Sequence, residues 1–366
     1  MADRKDALSL VRPHLLALNG YEAVAPPEAL AERAGIPASQ VVKLDANENP
    51  YGPSPKVAEA LSNLRTHLYP DPAQVAARRA VSAYIGLPPE HIVVGSGSDE
   101  IIDLAFRSVL DPGDAVVNCT PTFGMYVFTA QVCGATTIDV ERDQLFAIDV
   151  DRVLSAAKET SVKIIVVASP NNPSGNATPA SDLRRLLDSD CLVIVDEAYV
   201  EFGAESVAPL VAEYPNLLVL RTLSKWGGLA GLRVGYGLMA PELAELLMRA
   251  KLPYNVNQAA EAALLASLTD IATLNMRARQ IVAERGRMFD ALAGLPGLDP
   301  LPSDTNFILC RMPDGRGKAV YEGLAAQGVF VRYYARGKLA DYLRISIGTE
   351  DNTDRLIAAL RTTLAA

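Results

Sequence analysis

The sequence predicts an α/β protein. Seven strands form a mostly parallel sheet with helices on both faces, and a smaller α+β part is joined to it. Three observations carry this reading. Between residues 91 and 249, short β-branched runs alternate with helical stretches, the alternation that builds parallel sheets covered on both faces. After Val256 the pattern changes to a long helical stretch followed by separate strands. The 366 residues are 49 % hydrophobic and 21 % charged, ordinary values for a folded chain long enough for more than one core.

The elements follow in order. The opening, to about Val41, mixes helical pattern with turns such as Leu18-Asn19-Gly20 and Pro26-Pro27. Asn47-Glu48-Asn49-Pro50-Tyr51-Gly52-Pro53 is dense in turn formers and reads as an ordered loop. Short helices are expected at 57–64 and 73–85, parted by the turn Tyr69-Pro70-Asp71-Pro72. The seven strands are expected at 91–95, 114–118, 136–140, 163–168, 192–195, 217–222 and 235–239. Helices are expected between them at 99–110, 122–133, 150–158 and 180–187, and after the last at 241–249. A helical pattern then runs from 256 towards 292, broken near Asp270. The smaller part has strands at 306–310, 329–333 and 343–346 and a closing helix at 353–364. Residues 56–256 are thus expected to form the large unit, and 1–55 with 257–366 the small one.

Composition narrows the function. Thirty-four Lys and Arg face 43 Asp and Glu, a net charge of −9, and no basic run exceeds a pair. That argues against a nucleic-acid partner, which demands a basic face. Cys119, Cys133, Cys191 and Cys310 are widely scattered, with no CxxC or CxxH pair, so neither zinc nor a disulfide framework is expected. They read as free thiols in a reducing compartment, the cytoplasm. No apolar run approaches the length of a membrane span, and the N-terminus lacks the apolar core of a signal peptide. His14, His67 and His91 are the only histidines, which directs the search for acid–base groups to lysine, tyrosine, carboxylates or a cofactor.

Ligands of open α/β sheets lie beyond the carboxyl ends of the strands. There the sequence places Ser96-Gly97-Ser98-Asp99-Glu100, a turn opening a helix, which suits a phosphate and equally serves as an N-cap. Asp196 follows an apolar strand, where an ionised carboxylate needs a partner such as a protonated ring nitrogen or an arginine. Tyr199 can reach the same crevice or pack in the core. Lys225, after Ser224 at another strand end, can react with an aldehyde once desolvated, or lie on the surface. Arg233 adds a cation to a ligand or to an ion pair. Asn172 is a turn former or an amide donor, and Phe123 stacks on a flat ring or on the core. Together these groups describe a ring cofactor with a phosphate and an aldehyde, as pyridoxal 5'-phosphate (PLP) has.

The motifs Ser169-Pro170-Asn171-Asn172-Pro173-Ser174-Gly175, Asp196-Glu197-Ala198-Tyr199, Ser224-Lys225 and Gly231-Leu232-Arg233-Val234-Gly235 resemble those of the fold-type I, class I/II PLP-dependent aminotransferases. Asn47-Glu48-Asn49-Pro50-Tyr51-Gly52, Tyr69-Pro70, Gly97-Ser98-Asp99-Glu100, Arg221-Thr222-Leu223-Ser224-Lys225 and Leu343-Arg344-Ile345-Ser346-Ile347-Gly348-Thr349 resemble the histidinol-phosphate aminotransferase family within them. The resemblance covers nearly the whole chain. It implies that Lys225 carries the cofactor covalently and acts as the catalytic base. Asp196 would hold the pyridine nitrogen protonated, and Tyr199 and Asn172 the ring's 3′-oxygen. Ser98 and Asp99 backbone groups, Ser224, Arg233 and, across a homodimer interface, Tyr69 would hold the phosphate. Phe123 would stack on the ring where many relatives carry Tyr. Arg344 would clamp the substrate carboxylate, and Arg332, Tyr21, Asn47 and Tyr254, the last from the neighbouring subunit, would complete the substrate site. The implied reaction interconverts histidinol phosphate and 2-oxoglutarate with imidazole-acetol phosphate and glutamate. Aromatic amino-acid aminotransferases share all these motifs, and threonine-phosphate decarboxylases look similar. A regulator with a DNA-binding module would need a basic helix-turn-helix, which the residues before Asn47 do not provide.

Overall fold

Consecutive residues of the central strands enter opposite apolar layers. Val94, Val117, Ile165, Val167, Val193, Val195, Leu217 and Val219 pack on one side of the large sheet. Val93, Val116, Ile164, Val166, Ile194, Leu218 and Leu220 pack on the other. Burial on both faces is why these strands read as unbroken apolar runs rather than as alternating ones.

The computed structural model describes residues 6–18, 20, 23–159, 161–335 and 337–365. Its strands are β1 (Val42–Leu44), β2 (Ile92–Gly95), β3 (Ala115–Thr120), β4 (Thr136–Glu141), β5 (Val162–Ala168), β6 (Leu192–Asp196), β7 (Leu217–Thr222), β8 (Gly235–Leu238), β9 (Asp299–Pro300), β10 (Phe307–Arg311), β11 (Val329–Tyr333) and β12 (Tyr342–Ser346). The large sheet has seven strands in the order β2-β8-β7-β6-β5-β3-β4. Only β8 runs against its neighbours. One face is covered by the helices Ser98–Val109, Met125–Cys133 and Pro241–Ala250, through residues such as Ile101, Tyr126 and Leu247. The other is covered by the helices Pro55–Ser62, Val75–Ile85, Val150–Ala156, Ala180–Leu187 and Gln258–Leu268. The last of these follows residue 257, yet its Ala260, Ala263 and Leu264 complete the large sheet's layer. At the other chain end, Arg12 and His14 reach the Val132 carbonyl on the opposite face, at 3.2 and 3.4 Å.

A second sheet has the order β1-β11-β12-β10-β9. It shares a core with the helices Ile271–Ala293, Gly317–Ala325 and Glu350–Ala365. Tyr199, Phe202 and Trp226, which belong to loops of the large sheet, also enter that core. The two sheets therefore meet where β6 and β7 end. The break expected near Asp270 falls between Gln258–Leu268 and Ile271–Ala293.

Among the described residues, the two-residue strand β9, the strand β1 and one helix lie outside the sequence expectation. Strand β1 is only Val-Lys-Leu, too short to leave a periodic signal, and exists through parallel pairing of Val42 with Val329 and Leu44 with Val331. The helix Gly317–Ala325 contains two glycines, which weaken local helix preference. Burial of Val320 and Leu324 in the second core outweighs that cost.

Candidate active site

Five parallel strands, β2, β3, β5, β6 and β7, aim their carboxyl ends at one cavity of about 570 Å³. Its lining includes Asn47, Ser98, Asp99, Phe123, Asn172, Asp196, Tyr199, Ser224, Lys225, Arg233, Arg332 and Arg344. These come from sequence positions up to 297 residues apart: parallel strands place their carboxyl ends on one edge of the large sheet, and Asn47, Arg332 and Arg344 arrive from the second sheet and its loop. Strand β8 runs the other way, so its beginning lies there and Arg233 arrives from the opposite direction.

At the floor, Asp196 ends β6 and is buried. Its carboxylate accepts from the Tyr126 hydroxyl at 2.7 Å and from the Ala198 N–H at 3.0 Å. Burial raises its pKa to about 6, against the pull of the Tyr126 hydrogen bond. Beside it the buried Tyr199 hydroxyl accepts from Asn47 Nδ2 at 3.0 Å. Burial lifts that phenol to about 12, so it remains a donor at neutral pH.

Lys225 Nζ donates to the Ala46 carbonyl at 3.2 Å and lies 5.8 Å from the Tyr199 ring centre. Burial, then the Arg344 charge, lowers its pKa to about 8, and Glu48 opposes the shift. An amine in that range is free to attack an aldehyde near neutral pH.

The anion cradle is tight. Gly97, at φ 79°, precedes the helix Ser98–Val109, whose first residues Ser98 and Asp99 line the cavity. A Cβ at Gly97 would stand 2.8 Å from Arg233 Nη2, and one at Gly235 would stand 2.5 Å from the Ser98 nitrogen. Arg233 pairs with the Asp99 carboxylate at 2.8 Å and reaches Ser224 Oγ at 3.4 Å. Helix N–H groups, a hydroxyl and a guanidinium make a donor set for a phosphate.

At the opposite wall, Arg344 donates to Asn172 Oδ1 at 2.6 Å and to the Asp45 carbonyl. Its Nε is buried without a partner among the described residues, a donor left over for a ligand. Arg332 on β11 stands directly across from Arg344 on β12. Like charges in facing positions destabilise a sheet unless an anion is shared between them. Asn47, at φ 55°, also exchanges hydrogen bonds with Ser346 at 2.9 and 2.8 Å and accepts from Asn306 at 2.9 Å. It therefore fixes the loop 45–53 to β12 while it orients Tyr199.

Two expected residues, both assigned to a neighbouring subunit's site, stand apart from this chain's own. Tyr69 and Tyr254 stand outside the cavity, stacked on each other with ring centres 4.4 Å apart, and both are exposed. Tyr21 lies outside the described residues. Sequence reasoning missed Tyr126, whose signal is a lone phenol at the start of an apolar helix. It also missed Asn171, which locks the neighbouring loops through Thr122 and Ser174 at 2.8 and 2.7 Å. Among the described residues no cluster could hold a metal ion, and no helix is long and apolar enough to cross a membrane.

The fold and this constellation define a class before they define a protein. The chain belongs to the aminotransferase class I and II family, whose model matches residues 39–360. Its fold is the fold-type I arrangement that the motifs implied. It is 46 % identical over 361 residues to the histidinol-phosphate aminotransferase of Roseiflexus castenholzii, covering 96 % of this chain and 97 % of that protein. The chloroplastic enzyme of the same name from Nicotiana plumbaginifolia is 47 % identical over 356 residues, covering 96 % and 86 %. Among solved structures, the histidinol-phosphate aminotransferase of Sinorhizobium meliloti in complex with pyridoxal-5'-phosphate matches with a TM-score of 0.90 at 27 % identity, over 98 % of each chain. The L-threonine-O-3-phosphate decarboxylase of Porphyromonas gingivalis, at TM-score 0.76 and 22 % identity over 88 % of this chain and 99 % of that one, shares the fold.

Proposed function

We propose that the chain transfers the amino group between histidinol phosphate and 2-oxoglutarate, giving imidazole-acetol phosphate and glutamate in histidine biosynthesis, with PLP as its cofactor. The single observation that carries the substrate reading is the facing pair Arg332 and Arg344. The relatives named above support it with their shared name.

When bound, PLP supplies an aldehyde that joins an amine and a ring that receives the electron pair left at the deprotonated carbon. The chain does the rest. Ser98 and Asp99 N–H groups, Ser224 and Arg233 would hold the phosphate, and Phe123 would cover the ring. Asp196 would keep the ring nitrogen protonated by opposing its charge. The Tyr199 hydroxyl and Asn172 Nδ2 would hold the 3′-oxygen, which suits Asn172 because its Oδ1 is already taken by Arg344. Lys225 Nζ would hold the cofactor, and the same amine would remove and return the substrate Cα proton. Its lowered pKa makes it a competent base.

Glutamate offers two carboxylates, whereas histidinol phosphate offers a phosphate and no carboxylate. Arg344 takes the α-carboxylate bidentately. Arg332 with Arg344, assisted by Asn47, Tyr21 and Tyr254, takes the second anion. The working molecule is a cytoplasmic homodimer, in which the exposed Tyr69 and Tyr254 face the neighbouring subunit's site. Two units are proposed: 56–256 with the cofactor, and 1–55 with 257–366. The packing of residues 12–14 and 258–268 attaches those stretches to the large sheet.

A donor panel with 2-oxoglutarate as acceptor tests this reading. Histidinol phosphate should be the best donor, well above phenylalanine and tyrosine. Preference for the aromatic amino acids, or release of carbon dioxide from a phosphorylated threonine, would overturn it.

A further inference from the structure

Asp196 is buried, yet its two hydrogen-bond donors among the described residues, Tyr126 and the Ala198 N–H, are both neutral. A buried carboxylate is more often paired to a cation. An arginine or lysine in the place of Tyr126 would cancel the carboxylate's charge. A phenol does something different: it donates one hydrogen bond to the ionised form and leaves the negative charge in place.

Tyr126 is built to stay a donor. Its side chain is fully buried among Ile102, Ala105, Phe106 and Ala168, one apolar cluster of the large sheet. Burial, and after it Asp196, push its own proton loss far above the physiological range. Its ring meets the Phe123 ring edge-on at 5.6 Å, so it also supports the residue assigned to stack on the cofactor. It is the second residue of the helix Met125–Cys133, which packs on one face of the large sheet, and it lines the cavity. The phenol thus reaches Asp196 from a rigid element rather than from a mobile loop.

We infer that Tyr126 is a positioning residue for the transamination: its neutral hydrogen bond keeps Asp196 ionised, so that the carboxylate's whole charge is available to a protonated ring nitrogen. This inference rests on the PLP reading above. Tyr126 is expected to act on cofactor affinity and on the cofactor's electronic state, not through contact with substrate.

The test uses the full-length protein and pyridoxal 5'-phosphate. Tyr126→Phe removes one oxygen and nothing else. Tyr236→Phe is the control, because the Tyr236 hydroxyl is equally buried, belongs to β8 of the large sheet and has no hydrogen-bond partner among the described residues. Two quantities are read: the cofactor dissociation constant, and the pH midpoint of the bound cofactor's visible absorption. Tyr126→Phe should weaken binding about tenfold, the usual scale for one buried hydrogen bond to a charged group. It should also move the absorption midpoint upward, because a less protonated ring leaves the lysine-linked nitrogen more basic. Tyr236→Phe should move neither. In an Asp196→Asn background, Tyr126→Phe should add no further shift, since the carboxylate it serves is gone. If the wild-type chain shows the absorption and Lys225→Ala abolishes it, yet Tyr126→Phe matches Tyr236→Phe, this inference fails and the PLP reading stands. If the wild-type chain binds no pyridoxal phosphate, both fail.

Discussion

Lys225 and Asp196 hold charges that burial disfavours, and the site depends on both. The amine is lowered to about 8 by burial and by Arg344. A cofactor-free fold that binds fewer protons than the unfolded chain loses stability as pH falls from about 10.5 towards 8. Lys225→Met should therefore make the cofactor-free protein more stable at pH 7, by up to about 3 kcal/mol on the usual conversion of a pKa shift. That advantage should vanish above pH 10.5, and urea unfolding at the two pH values measures both. The same variant should lose the pyridoxyl mass that borohydride fixes on the Lys225 peptide of the wild-type chain. Label retained on another lysine would remove Lys225 from its role. Residue identities here were legible early, because Lys225, Asp196, Tyr199 and Arg233 sit in short motifs at strand ends. Tyr126 was not, since a buried phenol in an apolar helix looks like core until its partner 70 residues away is in view.

Two pairs of elements set the site's dimensions. Between β6 and β7, the buried Arg221 donates to Glu197 and Glu201 at 2.7 Å each and to Ser206 at 2.7 Å. Glu197 and Glu201 flank the segment carrying Tyr199, and Arg221 precedes Lys225 by four residues. This ion cluster therefore spaces the carboxylate and phenol against the lysine. Arg221→Met leaves two buried carboxylates without their cation, which should cost about 3–5 kcal/mol in urea unfolding. Adding Glu201→Gln should recover part of that loss, helped by a carboxylate that burial already raises to about 7. Between β11 and β12, the facing arginines should separate substrates. Arg332→Ala should raise the KM for histidinol phosphate at least about tenfold, a charge-assisted contact's worth, and leave that for phenylalanine nearly unchanged. Equal losses would dissociate Arg332 from the phosphate. The register that makes Arg332 and Arg344 neighbours is absent from any local pattern, as is β1, because both arise from pairing between distant segments.

Across the whole molecule, residues 12–14 and the helix Gln258–Leu268 pack on the large sheet's layers, while the second sheet lines the cavity through Arg332 and Arg344. Tyr69 and Tyr254 remain outside that cavity, stacked and exposed. In the proposed dimer they complete the other subunit's site. Mixing Lys225→Ala with Tyr69→Ala chains, each of low activity alone, should restore activity through mixed dimers with one intact site. Sedimentation should give twice the chain mass of 39.1 kDa. A monomer with full activity would remove the shared-site proposal. Helix and strand order was legible across most of the molecule. The attachment of 258–268 to the large sheet was not, since an apolar helix carries no record of which sheet it covers.

By itself the sequence determined the seven-stranded layer, the strand ends that carry chemistry and the type of group each one offers. Those are local properties: apolar runs, turn formers and the residue that follows a strand. Only the tertiary structure decided which groups meet. It aimed Tyr126 at Asp196, tied Asn47 to Tyr199, set Arg332 across from Arg344 and left Tyr69 with Tyr254 on the surface. Contacts between segments far apart in the chain depend on register and packing, which are settled by the folded whole and by no stretch of residues alone.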